Sequence, residues 1–309
     1  MKNEDAFHSQ EPLCYEQLDE RLKKLQAEGT WVFRGQAAKW DLETTLERYC
    51  NLSRYKLTDA RGIEAEMIRN FQRLYVGEDR EEVISDTLYC ISLMRHYGAP
   101  SRLLDFTYSK DVATYFGLEY AFETVPLGTD GKPDYDANRS LAIWCVNAGV
   151  LDSQIEKKYP KLYKNSLKPR KDDSKRNDKT FVGLYMANAG KFVRSDNPVK
   201  LHQRLDIQQG VFLCPGTVAK SFMQNLKNLY DGKNNEWIFK FTCELSPVEL
   251  RDALEDFRHK TITRQSLLPG PDGFAQSMRY KLVLFYDLYE SRRNSGANYP
   301  FSKRLRKPK

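Results

Sequence analysis

The longest uninterrupted apolar run in this chain, Leu141–Val146, is six residues long, and that length limits the fold severely. Six residues suit one buried β-strand, whereas a helix needs about 18–20 apolar residues to cross a bilayer. No membrane-spanning helix is expected, and the acidic, polar stretch Met1–Glu20 lacks the basic, apolar and small-residue order of an export signal. The chain reads as soluble and cytoplasmic. Its 40% hydrophobic and 12% aromatic content is enough to fill a core.

Around that strand the apolar pattern alternates between helix and strand periods. Leu18, Leu22 and Leu25 predict an amphipathic helix within residues 12–28, packed at a domain edge. Trp31-Val32-Phe33 reads as a buried strand stopped by Gly35, followed by a helix over Leu42–Tyr49. Helices are expected over Glu64–Tyr75 and Glu82–Tyr97, the second ended by Gly98-Ala99-Pro100. Leu103-Leu104 is a short strand and Asp111–Phe122 a helix. Later, Val211–Leu213 and Trp237–Thr242 read as strands and Pro247–Lys260 as a helix, while Lys281–Glu290 fits helix and strand equally. The expected class is α+β in one domain over residues 31–290, preceded by a helical segment over 1–30.

The net charge of +7 is unevenly placed. Seven basic and no acidic residues lie in 291–309, so the rest of the chain sums to zero. Lys157–Lys179 is a second basic stretch, read as an insertion near 156–180. Both could attract nucleic acid phosphates, with Tyr159, Tyr163, Tyr299 and Phe301 placed to stack on bases. Solvated charge runs or an acidic protein partner fit the same pattern. The six cysteines show no C-x-x-C spacing and the four histidines are scattered, so reduced core thiols and no metal site are expected.

Three segments could carry chemistry. In Phe33-Arg34-Gly35-Gln36 a guanidinium ends a strand, and the glycine would let a ligand approach the backbone. Its fork suits a diphosphate, though a structural ion pair fits the tripeptide as well. Arg95–Thr107 crowds polar and aromatic groups into a helix-turn-strand junction, where Arg102 and Asp105 could be a buried pair. Gln208 and Gln209 enter a strand and can hold hydroxyls without titrating.

In this order the segments resemble the FRG-domain family. His96-Tyr97-Gly98-Ala99-Pro100-Ser101-Arg102-Leu103-Leu104-Asp105-Phe106-Thr107 matches its long signature, and the similarity runs from about Trp31 to Gln276. FRG domains are similar in turn to ADP-ribosyltransferases. That resemblance implies a split, mixed or antiparallel sheet, NAD as co-substrate, and a bacterial toxin or anti-phage effector. The two basic segments make RNA or single-stranded DNA the expected acceptor, RNA being favoured, and the toxin resemblance adds a neutralising antitoxin protein.

The resemblance assigns Arg34 to the NAD diphosphate or adjoining ribose, with Gly35, His96 and Gln208 as cofactor contacts. Tyr97 would stack on nicotinamide, Thr107 would orient the ligand and Gln209 would hold a ribose hydroxyl. Where many transferases carry Glu-x-Glu this chain has Gln208 and Gly210, so Asp105 is the candidate acid, with Arg102 its partner or a phosphate ligand. An NAD glycohydrolase, a protein-directed transferase and a non-catalytic nucleotide-binding module are the rival readings.

Overall fold

The computed structural model describes residues 12–164, 181–187, 189–230 and 236–284. The segment 291–309 and most of the charged insertion lie outside them, so expectations for those stretches have no structural counterpart.

Six strands form one antiparallel sheet in the order β4-β5-β2-β1-β3-β6. They are β1 (Trp31–Gln36), β2 (Leu104–Thr107), β3 (Arg139–Asn147), β4 (Val193–Asp196), β5 (Gly210–Pro215) and β6 (Ile238–Leu245). The apolar run expected to be a strand is β3, which pairs with β1 on one side and β6 on the other. Flanked on both edges, it is buried almost throughout, which explains its unbroken apolar sequence.

Helices cover both faces. They are α1 (Tyr15–Ala27), α2 (Thr45–Leu52), α3 (Ala60–Leu74), α4 (Arg80–Ser85), α5 (Thr87–His96), α6 (Lys110–Glu123), α7 (Ala148–Lys158), α8 (Gln203–Ile207), α9 (Phe222–Asn228), α10 (Pro247–His259) and α11 (Pro271–Leu284). Alternation along β1 divides the core: Val32 joins the apolar cluster under α5 and α7, while Trp31 and Phe33 join the one under α1, α6 and α10. None of the described helices is long and apolar enough to cross a membrane.

Several boundaries differ from expectation for identifiable reasons. The helix expected over Glu82–Tyr97 is two, because Asp86 is extended (φ −124°, ψ 105°) and its side chain accepts from the Tyr89 N–H as an N-cap. The helix after β1 begins at Thr45 rather than Leu42, with Thr44 capping Glu47 N. The N-terminal segment belongs to the main core rather than its edge. Leu18, Leu22 and Leu25 are buried in it, and Leu13 N donates to Thr242 O at 2.8 Å beside a bridge to Cys243. Tyr159 and Tyr163 pack against the core, and the Tyr159 hydroxyl accepts from Lys191 N and Asn228 Nδ2, so these rings do not stand free to stack on bases. Five of the six cysteines are buried and all are unbridged.

One joint in the sheet is incomplete. β1 and β3 register over six pairs, and β2 and β5 over four, but β1 meets β2 only at Phe33↔Thr107. Past that pair the two strands diverge, leaving main-chain groups of both to find other partners.

Candidate functional site

The divergence of β1 and β2 opens a cavity of about 330 Å³. Arg34 enters it from β1. Its Nη1 donates to the main-chain carbonyl of Asp105 at 2.7 Å, replacing a ladder bond that the splayed strands do not make. Its Nε is buried without a partner, and its Nη2 makes no hydrogen bond to a described residue.

The Asp105 carboxylate turns to α5. Arg95 Nε donates to Asp105 Oδ2 at 2.8 Å, Arg95 Nη2 bonds the same oxygen, and Arg95 Nη1 is anchored on Thr45 Oγ1 at 3.1 Å. Burial alone would raise the carboxyl's pKa, but the charge and hydrogen bonds of Arg95, with Arg34 and Arg204 behind it, hold it below the ordinary value. The side chain remains 45% exposed toward the cavity. An aspartate held ionised can stabilise positive charge rather than donate a proton.

Arg204, Gln208 and His202 close the wall opposite, and Arg264 and Leu268 add to it from the chain's last third. Arg264 is committed, with Nε on Gln276 Oε1 at 2.7 Å and Nη1 on the fully buried Glu119. The Arg204 side chain makes no hydrogen bond or ion pair with a described residue, and burial together with neighbouring arginines lowers its pKa. The cavity therefore presents two guanidinium groups with donors to spare, those of Arg34 and Arg204. Asp105 is the one acidic residue among the described residues of its lining.

His96 and His202 stand with ring centroids 5.0 Å apart. Burial, then the charge of Arg204, lowers the pKa of His96; burial, His96 and Arg204 push His202 down to about 4. His202 also caps α8, its Nδ1 accepting from Leu205 N at 3.2 Å, which places the proton of the neutral ring on Nε2. On α6, Phe116 and Tyr120 line the cavity with near-parallel rings, 25° apart in plane. Tyr120 lines the same cavity as Arg34, Arg95, Arg204 and Arg264.

Arg34, Gly35, His96, Asp105, Thr107 and Gln208 thus meet in one cavity. Gly35 serves a different need from the one its sequence suggests: a Cβ there would lie 2.0 Å from Ala113 O and 2.6 Å from Gly117 N, so the close approach is made by α6. The Thr107 hydroxyl is already engaged, donating to Gln208 O at 2.6 Å and accepting from Ser109 N at 3.0 Å. Gln208 gives Nε2 to Leu267 O at 2.9 Å, leaving its carbonyl oxygen for a ligand.

Tyr97, Arg102 and Gln209 lie elsewhere. Arg102 is fully buried and bonded to Glu64 and to Tyr185 O, so it is neither the partner of Asp105 nor within reach of a phosphate. Gln209 occupies an exposed corner before β5 with φ +48°, where its main-chain N–H donates to Asp206 O and its carbonyl accepts from Tyr108 N. Tyr97 follows His96 but turns into a separate apolar groove. Phe116 and Tyr120 are the ring faces that the cavity itself offers.

Arg204, His202, Arg264 and Tyr120 carried no sequence signal as site residues. Each stands in an ordinary helical or connecting context, and only closure of the sheet brings them together. Arg95 stood in the quoted cluster, and its pairing with Asp105 follows from its place one helix turn above the Gly98 bend.

These features define an α+β protein with an arginine-lined cavity in a split antiparallel sheet. Residues 29–124 match the family model of the FRG domain. That stretch carries both lips of the split and Arg34, Arg95, His96, Asp105, Phe116 and Tyr120, whereas Arg204, Gln208 and Arg264 come from beyond it. Comparison with curated proteins and with solved structures found no match.

Proposed function

We propose that the cavity binds NAD and that the protein transfers its ADP-ribose to a nucleic acid, RNA being the favoured acceptor. The observation that carries this reading is the pair of guanidinium groups, Arg204 without a partner among the described residues and Arg34 bonded through Nη1 alone, in a cavity whose one carboxylate among the described residues is held ionised. Two guanidinium forks suit the two phosphates of a dinucleotide. Phe116 and Tyr120 supply a face for its planar ring, and the side-chain Oε1 of Gln208 an acceptor for a ribose hydroxyl.

In the transfer, the C1′–N bond to nicotinamide breaks and its electron pair leaves with the nicotinamide. A lone pair of the acceptor forms the new bond to C1′, and the acceptor's proton passes to solvent. The sugar carries positive charge midway, and the ionised Asp105 stabilises it. Neutral His96 and His202 add no charge that would oppose this. The role fits a cytoplasmic toxin or anti-phage effector kept in check by a neutralising protein.

The ion pair with Arg95 favours one second reading, a nucleotide-binding module without turnover, because it spends much of the aspartate's charge. Labelled NAD, incubated with the protein and with RNA, DNA or extract protein, separates the possibilities. Label on RNA supports the proposal, label on protein redirects the acceptor, free ADP-ribose indicates a glycohydrolase, and intact bound NAD indicates the module. Arg204→Ala should weaken NAD binding about tenfold or more, by loss of charge-assisted hydrogen bonds, and leave the melting temperature unchanged because the side chain has no partner among the described residues. Unaltered NAD affinity in this variant would remove the diphosphate clamp.

A further inference from the structure

Thr45 opens α2 at the wall of the charged cavity, and its hydroxyl is fully engaged. It donates to the Ser101 carbonyl at 3.2 Å, and it accepts from Ser101 N at 2.9 Å and from Arg95 Nη1 at 3.1 Å. A hydroxyl has one proton and two lone pairs, so these three bonds saturate it. The two to Ser101 tie α2 to the turn between α5 and β2. The third reaches a side chain that already has a partner, since Arg95 Nε and Nη2 both go to Asp105.

That pairing is not the strongest an arginine can make. A guanidinium edge and a carboxylate bind best through two parallel bonds, one to each oxygen. Arg95 instead places both nitrogens on Oδ2, and the 4.0 Å approach of Arg34 Nη1 is to Oδ2 as well. Oδ1 makes no hydrogen bond with a described residue, and the side chain is 45% exposed.

We infer that Thr45 is a positioning residue, which acts through Arg95 to keep one oxygen of Asp105, Oδ1, free for a ligand in the cavity. Sliding the guanidinium into a two-oxygen fork would break its Nη1 bond to Thr45, so the offset on Oδ2 is held. A carboxylate clamped at both oxygens would have neither left for a sugar hydroxyl or a positive centre. With Oδ1 free, its charge is aimed where positive charge develops. The consequence for turnover rests on the transfer reaction proposed above; the placement of the carboxylate does not.

The test follows the full chain by nuclear magnetic resonance with its aspartate carboxyl carbons isotopically labelled, the Asp105 signal being the one lost in Asp105→Asn. At neutral pH, where this carboxylate is ionised, Thr45→Val should displace that signal as Oδ1 gains a donor, and Thr45→Ser should return it to the wild-type position. In NAD consumption Thr45→Val should lose about tenfold or more in kcat with KM little changed, and should add no further loss to Asp105→Asn. Arg95→Lys provides a second route that leaves Thr45 and Ser101 bonded to each other. Its single nitrogen cannot span Thr45 and Asp105 as the fork does, so it should displace the signal too. An Asp105 signal that stays in place in Thr45→Val, or in Arg95→Lys should the valine variant not fold, overturns the inference whatever the rate does. A displaced signal in a protein that never consumes NAD leaves the positioning role standing and removes the transferase reading. NAD consumed equally by wild type and Thr45→Val, with the signal unmoved, removes the positioning role alone.

Discussion

Arg34 recognises residue 105 by its backbone: Nη1 takes the Asp105 carbonyl at 2.7 Å, while the carboxylate of the same residue lies 4.0 Å away. The arginine is thus a structural tie across the split and a ligand-facing cation together. Arg34→Ala should cost about 1–3 kcal/mol, the price of an orphaned buried carbonyl, and should also abolish NAD binding in the folded fraction. Arg34→Lys should recover most of the stability and little of the binding, because an ammonium cannot span two oxygens as the fork does. Urea denaturation beside NAD titration reads both; full NAD affinity in Arg34→Lys would argue against bidentate recognition.

Gly35 is predicted to be intolerant for reasons of packing alone. With Ala113 O only 2.0 Å from where a Cβ would stand, Gly35→Ala must push α6 off β1. A loss of at least about 3 kcal/mol is expected, large for one methyl group. A melt within a degree or two of the wild type would mean that α6 can shift freely.

Arg102 lies within the FRG-matched residues, yet its function is to hold the fold. It joins α3 to the turn at Tyr185 through Glu64, with both side chains sealed from solvent. Glu64→Ala leaves a buried cation unpaired and should cost about 3–5 kcal/mol. Chemical denaturation gives the value, and a loss below about 1 kcal/mol would show that water reaches the pair.

The histidine pair makes stability depend on pH in a definite direction. The folded value of His202, about 4, lies below its ordinary 6.5, so as pH falls the unfolded chain takes up the proton first. The neutral ring's contribution is intact above pH 6.5 and is lost as pH falls toward 4, about 2 kcal/mol in all once solvent at the cavity is allowed for. His202→Asn keeps an N-cap for α8 but removes the titration, so its stability should be flatter over that interval. Parallel pH curves for variant and wild type would acquit His202.

Most of the sheet and half the cavity were legible in the sequence, because strands buried on both faces announce themselves by composition. β1, β3, β5 and β6 all did so. β4 did not: Val193-Arg194-Ser195-Asp196 is a short edge strand whose arginine pairs with Asp152, so its pattern is that of a loop. Asp105 and Arg34 were found because they stand in distinctive strings, but the identity of their partners was not. Arg102 is as close to Asp105 in sequence as a partner could wish, and it is Arg95, a helix away, that arrives. Strand alternation sends neighbouring side chains to opposite faces, and spacing along a chain cannot tell which face a helix will answer from.

The single Phe33↔Thr107 pairing has a mechanical meaning. It divides the sheet into two three-stranded leaves, β4-β5-β2 and β1-β3-β6, fastened at one stitch and by the side chain of Arg34. Helices α6 and α7 each pack on both leaves, so helix packing more than strand pairing holds the seam closed. A ligand gripped by Arg34 on one leaf and Arg204 beside the other would lace that seam shut, and amide exchange along β1 and β2 would slow as it did.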